Sequence, residues 1–66
     1  MKHKIDVVVR NEGSIFMFQP LTKTARAWIE ENAADDGMWF GGQLAVEHRY
    51  AADLAQGMLN DGLNVA

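Results

Sequence analysis

No cysteine occurs among the 66 residues of this chain, so disulfides, thiolate metal sites and a cysteine nucleophile are all closed to it. A domain this short buries only about 60% of the surface its unfolded chain exposes. Chains of this size commonly lean on a disulfide, a metal or a partner. Two supports remain here: a well-packed core and association with another chain. The hydrophobic content of 48% is enough to fold on. The missing cysteine fits a reducing compartment. No apolar run nears the roughly 20 residues that span a bilayer. No stretch of about 7–15 apolar residues follows the basic start Met1-Lys2-His3-Lys4, so no signal peptide is read. The expectation is one small domain, residues 1–66, in the cytoplasm and off the membrane.

The order of elements follows from periodicity. Residues 4–10 are β-branched and alternate, with Ile5, Val7 and Val9 on one face and Asp6, Val8 and Arg10 on the other. Asn11-Glu12-Gly13-Ser14 supplies a turn. Ile15–Gln19 is a second strand, and the two strands form an antiparallel hairpin. Phe16 and Phe18 share one face of that strand, and Ile15, Met17 and Gln19 share the other. Pro20 ends it, because proline cannot donate to a ladder. Thr22 is a candidate helix cap. A helix over Lys23–Ala33 would bury Ala25, Trp28, Ile29 and Ala33.

Asp35-Asp36-Gly37 breaks the chain. Met38-Trp39-Phe40 then precedes Gly41-Gly42 and reads as an aromatic loop. Gln43–Glu47 is a third strand, with Leu44 and Val46 inward. A second helix over Arg49–Asn60 carries a stripe of Tyr50, Ala51, Leu54, Ala55, Met58 and Leu59. Gly57 weakens this helix or admits a close neighbour. Gly62 sits where a left-handed residue ends a helix, and Leu63 is placed to pack back on Met58. Leu63-Asn64-Val65 is a candidate edge strand.

The fold class expected is therefore α+β, in the order β-β-α-β-α with a possible short final strand. The simplest assembly is a two-layer sandwich of a small mixed sheet with both helices on one face. Its β-α-β step should cross over right-handed. One sheet face stays open. It would carry Val8 with either the Phe16/Phe18 or the Ile15/Met17 pair, which makes it a candidate dimer or partner surface.

Chemistry is sparse. Glu47-His48-Arg49-Tyr50 groups several catalytic residue types, but a general base needs a partner that orients it and a cleft that tunes it. The other histidine, His3, is at the terminus. A junction between strand and helix explains the run better. Metal binding needs three or four ligands at workable spacing, and His3, His48 and a stray carboxylate fall short. Gly41-Gly42 lacks the further residues of a phosphate loop. No cofactor is implied.

Net charge is −3 and the isoelectric point is near 5.1, the wrong balance for a phosphate backbone. Lys2, His3, Lys4 and Arg10 form at most a small basic strip. Positive charge still gathers in the first half, where Lys2, Lys4, Arg10, Lys23 and Arg26 outnumber Asp6 and Glu12. The second half sets Arg49 alone against seven acids.

Aromatic residues near glycines often anchor interfaces. A small core can equally claim them, since each aromatic brings about 150–250 Å² of burial. One of Trp39 and Phe40 is assigned to the core and the other is left to the surface. The expected partner-binding residues are Met38, Trp39, Phe40, Val8, Phe16 and Phe18. The expected function is non-catalytic binding of a protein partner. A structural or regulatory homodimer is the alternative, and a small ligand-binding module or enzyme built on His48 and Glu47 is the second.

Asn11–Ile15, Trp39-Phe40-Gly41-Gly42, Val46–Tyr50 and Gly62–Val65 together resemble short reading frames of bacterial phages and plasmids. Small acidic proteins of that kind include inhibitors of host defence, anti-CRISPR proteins among them. The resemblance implies an inhibitor that works by binding a host defence complex, and it assigns no residue a role.

Overall fold

A computed structural model of the chain describes residues 4–33, 35 and 37–66; Lys2, His3 and Asp36 of the sequence reading lie outside them. Six elements follow in order: β1 (Val7–Asn11), β2 (Ile15–Pro20), α1 (Lys23–Asn32), β3 (Gly37–Phe40), β4 (Gln43–Glu47) and α2 (His48–Asn60). The sheet order is β1-β2-β4-β3, and every neighbouring pair is antiparallel.

Two expectations change here. Met38-Trp39-Phe40 is a strand, not a loop, so the order is β-β-α-β-β-α. Its alternating exposed and half-buried residues are what a strand at a sheet edge requires, and Gly41-Gly42 is short enough to be a two-residue hairpin turn. Gly41 takes a φ of +62°, the sign that turn needs at its first central position. The named strands pair only antiparallel, so the sheet is not mixed; β4 lies between β2 and β3 and is antiparallel to both, so β2 and β3 run parallel and α1 crosses from one to the other over β4. Among the described residues the one parallel bridge is Val7–Val65, at the outer side of β1.

Local chemistry sets each boundary. Asn11 Oδ1 accepts from Gly13 N at 2.9 Å, and Gly13 has a φ of +96°, which closes the first hairpin. Thr22 caps α1 by accepting from Ala25 N at 3.1 Å. At the end of α2, Gly62 (φ +91°) donates to Leu59 O at 3.1 Å, and Leu63 donates to Met58 O at 3.0 Å. Those two bonds are the double closure that a left-handed glycine permits. Leu63 is thereby turned into the core.

Both helices lie on one face of the sheet. Between the layers Val7, Phe18, Ile29, Leu44, Val46 and Met58 are fully buried. Full burial of a side chain of this kind stabilises by about 1.5–3 kcal/mol. The expected stripe of α2 is narrower than its apolar residues suggest. Ala51, Leu54 and Met58 are buried, while Tyr50 and Leu59 flank the contact and are exposed. Gly57 admits a close neighbour: a Cβ there would meet two atoms of the Trp28 ring at 3.4 Å. Trp28 also donates from Nε1 to Asp61 Oδ2, tying α1 to the end of α2.

The last residues are fastened to the start of the chain. Asp6 accepts from Asn64 N and from the Thr22 hydroxyl, both at 2.9 Å. Asn64 Nδ2 donates to Lys4 O at 2.8 Å. One carboxylate therefore holds the C-terminal segment against β1 and steadies the cap of α1.

Candidate interaction surface

Strand parity decides which residues face the helices. In β2, Phe18 pairs with Val9 on one side and Leu44 on the other, and all three face the helices. Phe18 is wholly buried and Phe16 half-buried beside it. The open face of β2 instead carries Ile15, Met17 and Gln19. This corrects the placement of Phe16 and Phe18 on the partner surface. A core this small needs its bulkiest rings inside, and two helices supply the volume that accepts them.

The same parity separates the aromatic run. Trp39 points to the helix side, half-buried against the core, with the Arg26 guanidinium 4.9 Å from its ring centroid. Arg26 also donates from Nε to Glu30 at 3.1 Å. Trp39 is thus a core-edge residue, and Phe40 is the aromatic left at the surface. Met38 and Phe40 are 64% and 56% exposed on the open face, with Ala45 paired beside Met38. Val8, half-buried, is on this face at the far strand.

The open face has two characters. On the β1 side Arg10 lies across the sheet and donates from Nη2 to Gln43 Oε1 at 2.9 Å. On β2 between them stand Met17, opposite Arg10, and Gln19, opposite Val8, so this half mixes polar and apolar residues. On the β3–β4 side a shallow groove of about 390 Å³ is lined by Ile15, Met38, Phe40, Ala45 and Tyr50, with Asp35 and Glu47 beside them. Ile15 and Tyr50 are 41% and 46% exposed. Arg49 bonds Glu47 Oε1 at 3.0 Å and lies 5.0 Å from the Tyr50 ring centroid, which braces one wall of the groove. Helical spacing alone puts Tyr50 in the inner stripe of α2. Its place in the first helical turn, at the end of β4, puts it past the core and beside Ile15.

A second shallow groove, about 400 Å³, adjoins the first and is lined by Ser14, Ile15, Glu47, His48 and Arg49. It contains the run considered for catalysis. Glu47 is engaged by Arg49, and His48 uses its backbone N–H to donate to Ser14 O at 3.0 Å. Among the described residues no hydrogen bond holds the His48 ring, and no group of three His, Asp or Glu side chains gathers as a metal site would require. No helix among them is long and apolar enough to cross a membrane.

Comparison with known proteins found no matching family model, no similar curated protein and no similar solved structure.

Proposed function

We propose that this chain is a non-catalytic protein-binding module, and that its docking surface is the apolar half of the open sheet face. The observation that carries this reading is the clustering of Ile15, Met38, Phe40 and Tyr50, all large, apolar and exposed, around one groove. Single exposed apolar residues are ordinary, but a contiguous patch with a polar border marks an interaction site. Asp35 at the border, with Glu47 already matched by Arg49, favours a partner that offers apolar side chains beside a basic one.

The resemblance to phage and plasmid reading frames directs the reading further, to an inhibitor that binds a host defence complex in the cytoplasm, as anti-CRISPR proteins do. An acidic chain of −3 without cysteine fits that setting. The module built on His48 and Glu47 ranks lower, because Arg49 occupies the carboxylate that would orient the imidazole.

The test is an affinity capture from bacterial lysate with tagged wild-type chain and with the Met38→Ala/Phe40→Ala double variant. Both residues are exposed, so the variant should keep the wild-type circular dichroism. A stoichiometric partner held by the wild type and lost by the variant supports the proposal. A wild-type capture holding only the bait, or a partner that the variant retains, overturns it.

A further inference from the structure

The two edges of the sheet are unequal. Along the outer side of β1, Asp6 N and Val7 N donate to Asn64 O at 2.9 and 3.1 Å. Val9 N donates to Ala66 O at 3.0 Å, and Ala66 N donates to Val7 O at 2.9 Å. The C-terminal segment thus occupies that edge. At the other end β3 has β4 on one side and, among the described residues, no backbone partner on the other.

Which backbone groups face out follows from alternation. Residues flanking a two-residue turn form a hydrogen-bonded pair, here Phe40 and Gln43. Phe40 and Met38 then aim their N–H and C=O at β4, and Trp39 aims its own outward. The far side of β4 agrees. His48 N bonds Ser14 O, so even-numbered positions there face β2 and Gln43 and Ala45 face β3. The usual protections of an edge are lysine, proline, a bulge or extreme shortness. Gly37-Met38-Trp39-Phe40 contains no charge and no proline, and only its length of four residues protects it.

We propose that this edge pairs with the same edge of a second copy, β3 against β3, antiparallel about a two-fold axis perpendicular to the sheet. An outward N–H and C=O on one residue call for extended backbone as the occupant. A two-fold axis at Trp39 lets that residue exchange both bonds with Trp39 of the second copy. Charge agrees with this register. The acidic end at Asp35 comes past the glycine turn of the other copy, so the acids do not meet. The two Arg26 side chains approach on the helix side, each already matched by its own Glu30.

On the open face, Met38 of one copy comes beside Phe40 of the other. Two grooves then join into one apolar surface on an eight-stranded sheet. That consequence rests on the partner-binding reading above; the pairing itself does not. A four-residue edge supplies less than the roughly 1,600 Å² of a standard stable interface, so the dimer is weak and forms at high micromolar concentration.

The test is sedimentation equilibrium of the full chain over a range reaching on the order of 1 mM, as expected for a weak contact. A synthetic chain N-methylated at the Trp39 amide is run beside it. N-methylation removes the outward donor and keeps the side chain. Wild type should approach twice 7.3 kDa, and the N-methyl chain should stay at 7.3 kDa with unchanged circular dichroism. Hydrogen exchange adds a direct reading: the Trp39 amide of wild type should slow roughly threefold at the top of that range, while Met38 and Phe40 amides do not change. Wild type that remains monomeric throughout overturns the proposal, as does a dimer that survives N-methylation or leaves Trp39 exchange unchanged. Loss of the pulled-down partner in Met38→Ala/Phe40→Ala bears only on the open-face reading, so the two can fail separately.

Discussion

Replacing Gly37 with alanine should pull β3 away from the sheet, and the structure sets the size of the effect. A Cβ at Gly37 would sit 2.2 Å from Ala45 O and 3.0 Å from Val46 Cγ2, where ordinary contact begins at 3.4 Å. The shortfall against Ala45 O is about 1.2 Å, and the obstructing atom is backbone, which cannot rotate aside. Relief requires β3 to move by about an ångström. That displacement takes ladder bonds beyond useful length. Overpacking of this kind costs about 1–3 kcal/mol, and each weakened ladder bond removes about 1 kcal/mol more. A loss of about 2–3 kcal/mol is expected, a large part of what a domain this short has to spare. At about 4–8 °C per kcal/mol the midpoint should fall by roughly 10–20 °C. Thermal and urea unfolding followed by circular dichroism give the measurement. Gly42→Ala is the control, since nothing lies within 4 Å of its Cβ and its φ is not left-handed. That variant should match wild type or gain about 0.4–1 kcal/mol. A Gly37→Ala chain within about 0.5 kcal/mol of wild type would refute the close approach of β3 to β4.

Two further outcomes follow. The Asp6 carboxyl is held below its ordinary pKa, first by the Asn64 backbone N–H and then by the Thr22 hydroxyl. A depressed native pKa adds stability above the unfolded value of about 4 and loses it as pH falls through the native value. Wild type should therefore lose stability below about pH 4. Asp6→Asn should lack that acid-dependent part and show faster exchange of the Asn64 amide at neutral pH. Phe18→Ala should cost about 3–5 kcal/mol in urea unfolding, whereas Phe40→Ala should stay within about 0.5 kcal/mol; equal losses would mean that the two rings are not on opposite sides of the sheet.

The elements with a local chemical signature were legible in the sequence. Thr22 capping, the Gly62–Leu63 closure of α2 and the first hairpin each depend on a few adjacent residues and stand where the sequence puts them. β3 was less legible because three consecutive large apolar residues carry no visible alternation. Which of Trp39 and Phe40 is core stays open until the partner strand fixes their sides. The choice between Phe16/Phe18 and Ile15/Met17 had the same origin. Both faces of β2 are apolar, so periodicity names two pairs without saying which faces the helices. Only the register against Val9 and Leu44 decides it. Tyr50 misled because helical spacing does not reveal where a helix overhangs its sheet.

Those ambiguities and the candidate surface share one cause. A strand that is apolar on both faces cannot announce its inner side, and it is also the kind of strand that leaves apolar residues outside when one layer of helices covers the sheet. The helices take the parity of Phe18, Leu44 and Trp39; the opposite parity, Ile15, Met17, Ala45, Met38 and Phe40, is left on the uncovered face. A one-residue slip of β3 against β4 would exchange Trp39 with Met38 and Phe40, emptying the Arg26 contact and exposing the larger ring. Trp39 therefore supports the proposed docking surface without belonging to it. Its bulk against the core, and the guanidinium 4.9 Å from its ring, fix the register that displays its neighbours. Trp39→Ala should on this account weaken partner capture by letting β3 slip or fray, with faster exchange of the Met38 and Phe40 amides as the sign; capture lost with those amides still protected would place Trp39 in the contact itself.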